Sequence, residues 1–90
     1  MSAVSRTVRI DNKRGLHARA SAKFVTLATE LGTPVEVAKD GNRVCGTSIM
    51  GLMMLGAARG DSIEISASGE GADEAVTRLS ALVEDKFGEE

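Results

Sequence analysis

Apolar and polar residues along this chain alternate in two different rhythms. Val4, Arg6, Val8 and Ile10 interleave with Ser5, Thr7 and Arg9, the period of two expected of a strand with one face on a core. The turn residues DNKRG end that pattern, and Leu16, Ala20, Phe24, Leu27, Ala28 and Leu31 then recur at helical spacing as far as Gly32. Glycine suits the left-handed residue that commonly follows a helix, so a helix is predicted over 18–31. Pro34 cannot continue a helix and biases Thr33 toward extended geometry. Val35 and Val37 face one way and Glu36 the other, and Lys39-Asp40-Gly41-Asn42 carries an Asp-Gly hairpin signal. Strands over 34–38 and 42–45 are therefore expected to pair antiparallel.

In the second half, Thr47 or Ser48 can cap a short helix over 48–56, with Ile49, Leu52, Met53 and Leu55 on its inner side. Gly60-Asp61 marks a turn, after which Ile63, Ile65 and Ala67 alternate with Glu64 and Ser66 as a fourth strand. Ala72, Ala75, Val76, Leu79, Leu82 and Val83 then form an apolar stripe on a last helix expected to run to about Phe87. Asp73 and Glu74 fall in its first turn, where the helix dipole favours negative charge. The order β-α-β-β-α-β-α, without internal repeats or linkers, predicts an antiparallel or mixed four-stranded sheet with helices on one face. This is a two-layer α+β design whose opposite face can be wet.

Composition narrows the class. Ninety residues make one domain, 1–90, able to bury only about 60–65% of the surface its unfolded form exposes. Phe24 and Phe87 are the only aromatic residues, so the core must be built from Leu, Ile, Val, Met and Ala. Cys45 is the single cysteine and His17 the single histidine. An internal disulfide is excluded, the ligands of a typical zinc site are not available, and no cofactor is expected. The N-terminus lacks the apolar run of a secretory signal, and the longest mostly apolar stretch, IMGLMMLGAA, falls far short of the roughly 20 residues of a membrane span. A cytoplasmic location follows as the expectation.

The net charge of −2 hides an asymmetry: residues 1–60 carry nine Lys and Arg against four Asp and Glu, residues 61–90 two against nine. One end is thus suited to acidic partners. Nucleic acid is not expected among them, because no basic stripe is interleaved with aromatics on which bases could stack.

The histidine sits in RGLHARASAKF, at or next to the N-cap of the first helix, where backbone N–H groups lack intrahelical acceptors. The positive end of the dipole disfavours imidazolium and favours a neutral, nucleophilic ring, and the same amides can hold an anion. Arg19 adds a guanidinium fork, with Arg14 and Lys23 close in sequence. A phosphoryl group on His17 would meet amides and guanidinium together. The plainer reading is a polar surface residue or an unusual cap, yet histidine is not a preferred cap where Ser, Thr, Asp or Asn would stabilise the helix better. Asp11, six residues away, and Glu30 are the carboxylates nearest to His17 in sequence.

Two motifs, GLHAR (15–19) followed by Phe24-Val25, and TSIMGLMML (47–55) followed by GDSIEISASG, resemble the HPr family. These are the histidine-containing phosphocarriers of the bacterial phosphoenolpyruvate-dependent phosphotransferase system. The resemblance covers nearly the whole chain. It implies an α+β, two-layer open-faced β-sandwich with a four-stranded antiparallel sheet and three helices on one face. It also implies that His17 takes phosphate on Nδ1 from enzyme I and gives it to an enzyme IIA-type domain, with Ala18 and Arg19 binding the phosphoryl group. Ser48, on its own a satisfied N-cap, matches a regulatory site for an HPr kinase/phosphorylase. A phosphate there would add about −1.5 to −2 charge beside the partner-binding surface. A nine-residue helix cannot bury Ile49, Leu52, Leu55 and three methionines on one face. Met50 and Met53 are expected to be exposed and, with Ile49, to form a flexible apolar patch for partners.

The chain departs from the family at Ala20, where a proline is usual, at Arg14, where a small polar residue is common, and at Thr26 and Thr29, where enteric relatives have lysines. Ala20 restores a backbone N–H and relaxes the local φ constraint. The reading is a monomeric phosphocarrier that is not an enzyme on its own, leaning toward a nitrogen-related regulatory branch. The rival is a regulatory docking module of the same fold. A hydrolase using Cys45 and His17 lacks any supporting acid or oxyanion motif, and Cys45 is expected to be a semi-buried strand residue.

Overall fold

A computed structural model describes residues 3–89. Strand β1 (Ala3–Arg9) leads to helix α1 (Ala18–Leu31), then strands β2 (Val35–Lys39) and β3 (Asn42–Cys45), helix α2 (Ile49–Met54), strand β4 (Ser62–Ser68) and helix α3 (Ala72–Glu84), closed by a 3-10 turn at Lys86–Gly88. The sheet order is β1-β4-β2-β3 and every pairing is antiparallel. The fold is the α+β open-faced sandwich expected from the alternation, with an antiparallel sheet rather than a mixed one.

Register explains the core. Val8 stands opposite Ile63 and Val4 opposite Ala67, while Val35 and Val37 meet Ala67 and Ile65 from the other side of β4. These inward residues join Phe24, Ala20 and Ala28 of α1, Leu52 of α2 and Leu79 and Val83 of α3 in one cluster. Arg6 occupies an inward position of the edge strand β1 yet is exposed, a charge that discourages pairing with a second sheet. On the wet face Arg43 bridges Glu36 at 3.1 Å and the Ser66 hydroxyl at 3.3 Å. Such exposed pairs are worth less than about 1 kcal/mol each.

Local signals set most boundaries. Helix α1 spans the predicted residues and stops at Gly32, whose N–H bonds back to Ala28 and Thr29. Asp40 and Gly41 both take positive φ between Lys39 and Asn42, the two-residue turn whose twist matches a hairpin. Alternation reached Ile10 because pairing continues past β1: Ile10 exchanges backbone hydrogen bonds with Asp61 and Gly60 at 2.8 Å.

Three expectations need correction. The second helix has six residues rather than nine; of the four residues placed on its inner side Leu52 and Leu55 seat so short an element, while Ile49 and Met53 are each 40% exposed, in keeping with the expected apolar patch. The last helix ends at Glu84, not near Phe87. Lys86, Phe87 and Gly88 all adopt positive φ and turn the chain so that the Phe87 ring is buried. That burial, about 1.5–3 kcal/mol, offsets left-handed backbone at non-glycine residues. Cys45 is exposed, because on the edge strand β3 it stands opposite Glu36, on the solvent face.

Candidate functional site

His17 is the N-cap of α1, with extended backbone (φ −74, ψ 179). Its carbonyl accepts the first helical bond from Ser21 at 2.9 Å. The loop before it is fastened from two sides. Leu16 N–H donates to the Ala57 carbonyl at 3.0 Å, and Gly15, at φ +63, lies so close to Ala57 and Ala58 that a Cβ would collide with their backbone. Glycine is required there both for the left-handed conformation and for the close approach. The Ser21 hydroxyl donates to the Leu16 carbonyl at 3.3 Å.

Both ring nitrogens are engaged. Nδ1 accepts the Arg19 backbone N–H at 3.2 Å, and Nε2 lies 2.5 Å from Glu89 Oε2. A carboxylate beside Nε2 assigns the hydrogen to that nitrogen, and an amide donor aimed at Nδ1 assigns it the lone pair. The plain N-cap reading and the nucleophilic one therefore describe the same atom. The imidazole is only 13% exposed.

Glu89 was not legible in the sequence, where the carboxylates nearest to His17 are Asp11 and Glu30. It arrives from the other end of the chain. Phe87 is sunk in the core, Lys23 Nζ donates to the Phe87 carbonyl at 2.7 Å, and Glu89 N–H bonds to the Lys86 carbonyl at 3.0 Å. Asn12, fully buried, donates through Nδ2 to the Gly15 carbonyl at 2.8 Å and to Glu89 Oε1 at 3.1 Å. Burial opposes charge on Glu89, but hydrogen bonds from Asn12 and His17, with the His17 and Lys23 charges, outweigh it and hold the carboxyl below its usual value. The only hint in the sequence was an acidic residue two places after the last large apolar one.

Around His17 and Glu89 opens a depression of about 490 Å³ whose other walls include Lys13, Arg14, Arg19 and Lys23. Four cations against one carboxylate make it a site for an anion. Ala18 and Arg19 are the first two residues of α1 and both are exposed, with Arg19 lining the depression. Ala20, at the position of the family's usual proline, is fully buried in the helix's first turn.

The second motif lies on α2, which packs beside α1. Ser48 is its N-cap, with Oγ accepting the Gly51 N–H at 2.9 Å. Of the expected patch, Met50 is 68% exposed and Ile49 and Met53 are 40% exposed; Met54, left out of that patch, is the most exposed at 80%. Cys45 lines a different groove, with Thr47 and Pro34, so no Cys–His pair is assembled. Among the described residues no cluster of His, Cys, Asp and Glu could hold a metal ion, and no helix is long and apolar enough to cross a membrane.

Comparison with known proteins identifies the family. The family model described as the PTS HPr component phosphorylation site matches residues 4–85. The phosphocarrier protein HPr of Neisseria meningitidis serogroup A is 46% identical over 86 residues, 96% of this chain and 97% of that one. The phosphocarrier protein NPr of Shewanella violacea is 37% identical over 89 residues, 99% of this chain and 98% of its own. The crystal structure of HPr-C-His from Thermoanaerobacter tengcongensis superposes with a TM-score of 0.89 at 44% identity, covering 100% of this chain and 99% of that chain. With its fold, both motifs and nearly its whole length in common with these proteins, the chain belongs to the HPr family of phosphocarrier proteins of the phosphotransferase system.

Proposed function

We propose that His17 accepts a phosphoryl group on Nδ1 from phospho-enzyme I and passes it to an enzyme IIA-type domain. The observation that carries this reading is the orientation of the ring: Nε2 is occupied by Glu89, and Nδ1 is turned to the N-terminus of α1 beside a cationic depression. The Ala18 and Arg19 amides and the Arg19 guanidinium would receive the phosphoryl oxygens, the Arg19 N–H moving from Nδ1 to one of them. Transfer between two histidines needs in-line approach and charge stabilisation more than covalent help from the carrier. A shallow site on a rigid helix end therefore suffices without stand-alone turnover. On this reading the chain works as a single cytoplasmic domain over 1–90, monomeric and cofactor-free, offering one face to successive partners.

Ser48 is the proposed regulatory phosphorylation site, addressed by an HPr kinase/phosphorylase. Ser48 caps the helix that carries the exposed Ile49, Met50 and Met53, so added negative charge would meet any acidic partner docked on that patch.

The test is intact-protein mass before and after incubation with phosphoenolpyruvate and enzyme I, then brief acid treatment and peptide mapping. One acid-labile phosphoryl group on the His17 peptide is expected; no mass gain with several enzymes I would sink the carrier reading. The size of the exposed apolar patch favours a second reading, a nitrogen-branch regulatory module that acts by stoichiometric docking. His17→Ala separates the two: a carrier loses all phosphate flux, whereas a docking regulator keeps its target bound.

A further inference from the structure

We propose that Asp61 is a positioning residue for phosphoryl transfer, its carboxylate fixing the peptide group that anchors the loop in front of His17. The inference rests on the reading of His17 as phosphoryl acceptor and concerns what holds that ring in register with an incoming donor.

The anchor is the peptide between Ala57 and Ala58. Its carbonyl, on Ala57, accepts the Leu16 N–H at 3.0 Å, and its N–H, on Ala58, donates to Asp61 Oδ2 at 2.9 Å. The peptide is trans and planar, so its C=O and N–H point in opposite directions. A carboxylate fixed at one end therefore sets where the other end points. Donating to a carboxylate also polarises the peptide and makes the Ala57 oxygen a better acceptor for Leu16. Ala57 and Leu16 are both buried, so water does not compete for that bond.

The backbone of Asp61 is itself held fast. Its N–H donates to the Ala58 carbonyl at 2.9 Å, closing a turn over 58–61. Its carbonyl accepts the Ile10 N–H, and the Gly60 N–H donates to the Ile10 carbonyl, both at 2.8 Å. Lys39 Nζ, at the end of β2, lies 3.8 Å from the same Oδ2. Two strands of the sheet thus steady the carboxylate, which through one peptide holds Leu16, the residue before His17. None of these groups hydrogen-bonds the imidazole, so Asp61 acts on where Nδ1 sits rather than on its protonation. In-line transfer is sensitive to such placement, since a shift of about 1 Å can cost about a hundredfold in rate.

The test compares wild type with Asp61→Ala and Asp61→Asn, the asparagine keeping an oxygen for the Ala58 amide. Both variants are checked for folding by circular dichroism. In amide hydrogen exchange of unphosphorylated Asp61→Ala, Leu16 is expected to lose about tenfold more protection than Val37 and Ile65 of the sheet. In transfer from phospho-enzyme I to the same variant, kcat is expected to fall about tenfold while KM stays within about twofold of wild type. Asp61→Asn should restore most of the protection and most of the rate. A merely stabilising role would lower protection at all three amides alike and spare kcat. Equal loss of protection at the three amides, an unchanged kcat, a change in KM alone, or no rescue by Asp61→Asn would overturn the role of Asp61 and leave the carrier intact. Absence of acid-labile phosphate on wild-type His17 would overturn both.

Discussion

The Ser48 hydroxyl accepts the Gly51 amide at 2.9 Å, and a Cβ on Gly51 would stand 3.0 Å from that same oxygen. The start of α2 is thus closed around one serine. Ser48→Ala removes the cap at a cost of about 1 kcal/mol, which should lower Tm by about 4–8 °C in a domain of this size. Ser48→Asp keeps a capping oxygen and should melt near wild type, while its charge weakens docking to enzyme I. Thermal melts with transfer kinetics separate the two effects, and unchanged kinetics in Ser48→Asp would count against regulation at this serine.

Gly15→Ala should be far more damaging. It forces a side chain into the left-handed region, about 1–3 kcal/mol, and into the backbone of Ala57 and Ala58, where overpacking adds about 1–3 kcal/mol. A Tm loss of more than about 10 °C is expected. A melt within a few degrees of wild type would mean that the loop carrying His17 is not pinned there.

Ser80 is fully buried on α3 and its hydroxyl has no hydrogen-bond partner among the described residues. Ser80→Ala relieves that unpaired group and improves helix propensity, so it should stabilise the fold by about 1 kcal/mol. Denaturant melts would register this as a higher midpoint at an unchanged slope.

Met54 is 80% exposed, so Met54→Lys should change stability by no more than about 0.5 kcal/mol. If the apolar patch docks partners, the same substitution should raise the KM for enzyme I, on the order of fivefold. An unchanged KM would confine docking to Ile49, Met50 and Met53.

Glu89 gives a pH signature. Its carboxyl is held below the ordinary value in the folded chain, against burial, by Asn12, His17 and Lys23. The stability from these contacts is complete above the unfolded-state value, about 4.3. It is lost as pH falls through the lower folded-state value. Carboxyl NMR should find the Glu89 midpoint below that of an ordinary glutamate, rising toward it in Asn12→Ala and His17→Ala.

What could be read from the residues depended on how locally each feature is determined. The limits of α1, its stop at Gly32, the Asp40-Gly41 hairpin and the Ser48 cap rest on neighbours within one or two turns, and each was visible in advance. His17 stood out because a capping position held a poor capping residue beside Arg19. The antiparallel pairing of β4 with both β1 and β2 was only one of two sheets the alternation allowed.

The sequence by itself determined the order of elements, the inward face of each strand, and the histidine and serine at helix starts, since these follow from backbone propensity and side-chain period. Tertiary structure decided the rest: where α3 stops so that Phe87 can enter the core, which α2 residues stay in water, and that Glu89 meets a histidine 72 residues earlier. Contacts between chain ends depend on how the whole core packs, and no local pattern encodes them.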